Sequence, residues 1–119
     1  MSDESLAQRP HLRDRVKPLR DAGSVDLIDG ELEIASGVRL VPTPGHTPGH
    51  ASVFIESEGK ELVVLGDVVA HDLQLVDPDL VYVSDHDPEL SAATRKQVLG
   101  RLEGFRWSSL AEEGETAVE

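Results

Sequence analysis

Glu61-Leu62-Val63-Val64-Leu65 is a nearly continuous apolar run that stops abruptly at Gly66-Asp67. A run without polar alternation reads as a strand that needs burial on both faces, and so as part of a larger sheet assembly. The chain has little with which to supply those layers. Of its 119 residues 39% are hydrophobic and 3% aromatic, so a core must be built from Val, Leu, Ile and Ala around Phe54, Tyr82, Phe105 and Trp107. Such a core is thin, and a domain of this size leaves much of its surface wet.

The remaining pattern supplies short strands and one long helix. Leu12, Val16 and Leu19 recur at helical spacing within residues 8–21, which predicts a short helix disturbed at Pro18. Val25–Ile28 and Glu31–Ala35 read as strands joined by a hairpin turn at Asp29-Gly30, residue types that tolerate positive φ. Gly37–Pro42 and Ala51–Ile55 read as further strands around the loop Thr43–His50. Ser57–Lys60 turns the chain into the apolar run, and Leu80–Val83 reads as a short strand. Asp87 as cap, Pro88 at the first helical position and Glu89 in the first turn open a helix. At about 100° per residue, Leu90, Thr94, Val98, Leu99 and Leu102 share its apolar arc. Arg95 falls inside that arc. The preferred reading is a packed stem whose head reaches water, ahead of a partly buried pair with a carboxylate such as Asp85. Residues 1–7 and the acidic tail 103–119 are expected to be disordered, flanking a domain over 8–102.

Charge narrows the partners. With 11 Lys+Arg against 23 Asp+Glu, the net charge is −12, and an acidic chain repels phosphate backbones, so neither nucleic acid nor anionic membrane is expected to bind it. No apolar run approaches the roughly 20 residues that span a bilayer, and the acidic start is unlike a secretory signal, so a cytoplasmic location is expected. Cysteine is absent; a metal would have to be held by His, Asp and Glu.

Those residue types cluster suggestively. His46 and His50 lie four apart in the Pro- and Gly-stiffened loop Thr43-Pro44-Gly45-His46-Thr47-Pro48-Gly49-His50, and Asp67 ends the apolar strand. Imidazole nitrogen and carboxylate oxygen both suit zinc or manganese, at roughly 2.0 to 2.2 Å for zinc. A carboxylate beside a glycine that permits close approach could bridge two ions about 3.5 to 4 Å apart.

The Thr43–His50 loop and Leu65-Gly66-Asp67 resemble the third and fourth metal-binding motifs of the metallo-β-lactamase-fold hydrolases. The run Asp85-His86-Asp87-Pro88-Glu89-Leu90 with Ala93-Thr94-Arg95 is similar to the branch holding lactonases and methyl parathion hydrolase-like enzymes. The resemblance covers about residues 8–107. It implies an α/β fold, the second half of an αββα sandwich, with a mixed sheet flanked by helices. It also implies two divalent ions, zinc or another, held in part by His46 and Asp67, with Asp67 catalytic in orienting the nucleophile. The substrate implied is a lactone or other ester. His50 matches the motif without being a usual ligand. The family's His-x-His-x-Asp-His motif does not occur, nor does a His after His86.

Two ligands are too few to hold a catalytic ion tightly or to acidify its water. The isolated chain is therefore expected to be inactive or weak as a hydrolase, with a complementing chain or a second copy supplying what is missing. The other reading is a non-catalytic remnant or interaction module whose exposed apolar face, lined by Val53, Ile55, Val63 and Leu65, pairs with itself or another protein. His71 is read as a solvated loop residue, His86 as part of the helix entry and His11 as a surface residue.

Overall fold

The structure, a computed structural model, describes residues 8–102 and two later strands, Trp107–Ser109 and Thr116–Val118. What the sequence leads one to expect of residues 1–7, of the rest of 103–119, and of the Phe105 and Trp107 side chains lies outside the described residues.

The chain enters through two short helices, α1 (Pro10–Arg15) and α2 (Lys17–Asp21), each with proline in its first turn. A missing N–H is harmless there, so Pro18 begins a second helix instead of disturbing a first. Four strands follow: β1 (Leu32–Ala35), β2 (Val38–Pro42), β3 (Ala51–Ser57) and β4 (Lys60–Val64). They pair in sequence order, every pair antiparallel. The expected mixed sheet is corrected on that point, because parallel neighbours need a long crossover and these strands are joined by short links. The α/β class itself is as expected. A 3-10 turn (Gly66–Val68), the short α3 (Leu73–Val76) and the long α4 (Pro88–Arg101) complete the domain. Beyond it, Trp107–Ser109 (β5) and Thr116–Val118 (β6) form a separate antiparallel pair.

The first hairpin does not sit at Asp29-Gly30, and Val25–Ile28 is not a strand. The chain reverses at Ser36-Gly37 instead. Gly37 has φ +74°, and a β-carbon on it would lie 2.4 Å from the carbonyl oxygen of Glu56, to whose N–H the Gly37 carbonyl is bonded at 2.7 Å. Only glycine fits a left-handed turn pressed against β3. Leu80–Val83 is likewise no strand, and Val81 and Val83 are exposed.

Sheet register sorts the strand residues onto two faces. Arg39, Phe54 and Val63 are cross-strand neighbours on one, and this face looks toward α4. Phe54 is buried, with the Arg101 guanidinium 4.3 Å and that of Arg39 5.9 Å from its ring centre. Val63 and Leu65 pack here against the small core of Val68, Val98 and Leu102. The other face carries the row Leu32–Leu40–Val53–Val64 and, beside it, Val38–Ile55–Leu62. Nothing among the described residues covers it: Leu62 is 57% and Val64 50% exposed. The apolar run is thus buried on one side only, and the open face is lined by Val53 and Ile55 but not by Val63 and Leu65.

Helix α4 buries its expected arc at Thr94, Val98 and Leu102, and departs from it in the first turn. Its buried residues are Ser91, Thr94, Arg95 and Val98, and Leu90 is 41% exposed. The burial of Ser91 in place of Leu90 has a local cause. A β-carbon on Gly45 would lie 2.4 Å from the Ser91 α-carbon, so the Thr43–His50 loop lies directly on this turn and a small residue must face it. No helix among the described residues is long and apolar enough to cross a membrane.

Candidate metal centre

Helix α4 is the platform on which two chemically active segments are fixed. Asp87 caps it as read from sequence, its Oδ1 accepting the Leu90 N–H at 3.0 Å. The loop bearing His46 is tied to that end at three points. The Thr94 hydroxyl donates to the Pro44 carbonyl at 2.7 Å, and the N–H groups of His86 and Asp87 donate to the carbonyls of His46 and Gly45, each at 3.0 Å. The turn bearing Asp67 is tied by Val68, buried against Val98 and Leu102, and by Arg95, whose Nε donates to the Val68 carbonyl at 2.8 Å.

The two segments bring His46 Nε2 to 3.4 Å from Asp67 Oδ2. That is long for a hydrogen bond. It matches the edge of a tetrahedral site, since two donors at about 2.1 Å subtending a tetrahedral angle are about 3.4 Å apart. The other ring nitrogen is anchored: His46 Nδ1–H donates to Asp85 Oδ1 at 3.0 Å. A proton held on Nδ1 leaves the Nε2 lone pair directed at Asp67, the arrangement in which an outer carboxylate orients a metal-binding imidazole. The Asp85 side chain is 1% exposed, whereas that of Asp67 is 61% exposed. One carboxylate is structural and the other open to a ligand. Tyr82, expected in the core, instead stacks on the His46 ring with 5.9 Å between centroids.

His50 lies on the same loop in a different role. Its Nε2 accepts the Asp67 N–H at 3.0 Å, so its proton is on Nδ1, which is 3.1 Å from the Thr43 carbonyl and 2.8 Å from the Thr43 hydroxyl. Thr43 Oγ1 in turn lies 2.9 Å from Ser52 Oγ, which donates to the Leu65 carbonyl at 3.1 Å. This buried chain of bonds joins the start of the loop to the end of β4. The ring occupies the space over Gly66, where a β-carbon would lie 2.7 Å from Nε2.

The other histidines stand apart from this cluster. His71 Nδ1 accepts the Leu73 N–H at 3.1 Å at the start of α3, and His86 and His11 are exposed. Three residues shape the site in roles that the sequence does not signal, although it does offer Asp85 as a partner for Arg95. Asp85 lies 39 positions from its partner His46, and Tyr82 and Gln74 belong to a stretch without periodicity. Gln74 is buried, accepting the Ala70 N–H at 2.8 Å and donating to the Leu80 carbonyl at 2.9 Å. Arg95 departs from the preferred reading and follows the other, a buried cation facing Asp85: it is 1% exposed and does not reach water. Its guanidinium donates to the carbonyls of Val68 and Pro78 and to the Ser91 hydroxyl, and lies 3.8 Å from Asp85 Oδ2.

His46 and Asp67 fit one edge of a coordination sphere. They do not complete one, and among the described residues no group of three or more His, Cys, Asp or Glu is arranged to hold an ion.

A layered α/β unit with an imidazole and a carboxylate at the ends of neighbouring strands defines a class, and comparison with known proteins agrees with it. Residues 2–103 match the model of the metallo-beta-lactamase superfamily, and the chain belongs to that superfamily. The N-acyl homoserine lactonase AiiA of Bacillus thuringiensis subsp. kurstaki is 35% identical over 72 residues, covering 60% of this chain and 28% of its own length. An N-acyl homoserine lactonase of Bacillus cereus is 51% identical over 39 residues, 33% of this chain and 16% of its own. A solved N-acyl homoserine lactone hydrolase with N-hexanoyl-L-homoserine at its catalytic metal centre superposes with a TM-score of 0.57 at 32% identity, covering 66% of this chain and 31% of that one. The dizinc quorum-quenching lactonase AidC shares the fold, with a TM-score of 0.65 at 20% identity over 94% of this chain and 45% of its own. The chain thus spans under a third of the curated relatives it matches.

Proposed function

We propose that this chain contributes one edge, His46 and Asp67, to the two-metal site of a lactone hydrolase, and that the remaining ligands come from polypeptide outside the described residues. The observation that carries this reading is the 3.4 Å approach of His46 Nε2 to Asp67 Oδ2 with Nδ1 fixed on Asp85. A buried carboxylate behind the imidazole is what a metal-ligating histidine needs and a surface histidine does not. When bound, zinc or another divalent ion would polarise the lactone carbonyl and activate water. The part of this chain is to present the two donors at fixed spacing, with Asp67 open to the nucleophile and Tyr82 on one side of the imidazole.

The uncovered sheet face supports the need for a second body. Burying a Leu, Val or Ile side chain contributes about 1.5–3 kcal/mol, and on this face Leu32, Leu62 and Val64 are exposed among the described residues, with Val38, Leu40, Val53 and Ile55 half-buried beside them. The same observation favours a second reading, an association module that pairs through this face without catalysis.

Complementation separates the two. The chain is mixed with the part of the B. thuringiensis lactonase that its matched region leaves out, and opening of N-hexanoyl homoserine lactone is followed with zinc present. Under the catalytic reading the mixture hydrolyses lactone, and His46→Ala abolishes the activity. A stable mixed complex that is equally inert with either form leaves the association module. Rapid turnover by the lone chain would contradict the ligand count.

A further inference from the structure

Arg95 is a buried cation that the proposed chemistry does not use. Its guanidinium gathers the segments that bear both donors: Nε holds the Val68 carbonyl next to Asp67, Nη1 holds the carbonyls of Pro78 at 2.5 Å and Leu80 at 3.3 Å, and Nη2 faces Ser91 Oγ and Asp85 Oδ2. The Asp85 carboxylate is therefore divided between two neighbours. Oδ1 takes the His46 Nδ1 proton, and Oδ2, buried and without a hydrogen bond of its own, is directed at the guanidinium.

We infer that Arg95 is a positioning residue: by fixing which side of Asp85 faces it, it dictates the tautomer of His46 and keeps the Nε2 lone pair available beside Asp67. The relay Arg95–Asp85–His46 is set by charge on one side and a hydrogen bond on the other: Oδ2 faces, across 3.8 Å, a guanidinium that can only donate, and Oδ1 accepts from His46. Opposite a donor-only guanidinium, the group at position 85 must present an acceptor. Whatever its other end offers then decides whether His46 Nδ1 donates or accepts.

The inference rests on the metal reading above, but its consequence is visible without metal. In Asp85→Asn, a replacement of nearly the same shape, Arg95 draws the amide oxygen to itself and turns the NH2 toward His46. Nδ1 must then accept, the proton moves to Nε2, and the nitrogen beside Asp67 becomes a donor that no cation can use. An ordinary loss of packing would not interchange the two ring nitrogens.

The test is nitrogen-15 NMR of the histidine side chains at alkaline pH on the 119-residue chain and on Asp85→Asn, with amide spectra checking that each is folded. The proton of His46 is expected on Nδ1 in the parent and on Nε2 in the variant. Titration with Mn2+ is read by line broadening. It is expected to centre on His46 and Asp67 in the parent and to need about tenfold to a hundredfold more metal at His46 in the variant. If Asp85→Asn does not fold, Arg95→Lys, which loses the fork but keeps the charge, is expected to populate both tautomers of His46. The inference is overturned if His46 keeps its proton on Nδ1 in a folded Asp85→Asn, or carries it on Nε2 in the parent. Nδ1–H in the parent without broadening near Asp67 would overturn the metal reading and leave the relay standing.

Discussion

Gly66 has φ +59° and carries the His50 ring where a β-carbon would be. Gly66→Ala must therefore strain the backbone and displace the imidazole that accepts the Asp67 N–H, and it is expected to cost at least about 1 kcal/mol in urea unfolding. Glu58 is the reverse case, the one non-glycine among the described residues with positive φ, at 51° in the β3–β4 turn beside Gly59 at 72°. Both central positions of such a turn favour Gly or Asn, so Glu58→Asn is expected to stabilise by about 0.5–1 kcal/mol in the same measurement. At this scale the loop and the Gly-Asp strand end were legible because their residue types are rare and their order is fixed. Asp85 was not legible as a partner of His46, since a contact 39 positions apart leaves no local period. For Arg95 helical spacing gives the inner face and leaves Asp85 as the alternative partner that the structure bears out, but it does not show that three carbonyls wait there as well.

Among the elements, α4 has the clearest sequence signature and holds both donor segments. Its cap is legible because Asp-Pro-Glu is a local instruction, and Asp87→Ala is expected to cost about 1 kcal/mol, with His46 and Gly45 losing their fixed backbone partners as the first turn frays. The first hairpin was misread because Asp29-Gly30 is a good turn that faces no partner strand, whereas Gly37 is held against β3 by contacts that local sequence does not record. Helix α2 offers a pH test. Hydrogen bonding to Lys17 holds the Asp21 carboxyl below its ordinary range, against an opposing loss of hydration, and Arg20 adds to the lowering. A carboxylate lowered in the folded state stabilises above its unfolded pKa and loses that contribution as pH falls through the folded value. NMR titration should show Asp21 protonating at lower pH than an unstructured Asp, and Lys17→Met should return it upward.

Taken as a whole, the described residues form a sheet covered on one side. The run Glu61–Leu65 was read as demanding burial on both faces, and among the described residues it obtains one, by Val63 and Leu65 against the α4 core, while Leu62 and Val64 remain open. Cross-strand register, which sequence does not show, decides which of its residues face the missing layer. Leu62→Lys with Val64→Lys should leave the fold intact, since neither side chain is in the core, and should shift any associated species to monomer in sedimentation velocity. The proposed share of the molecule in catalysis is tested most directly by its zinc content. After saturation with zinc and exhaustive dialysis, the monomeric chain is expected to retain essentially no metal by atomic emission, because two donors make one edge and not a site. Two equivalents of zinc retained per monomer would contradict it.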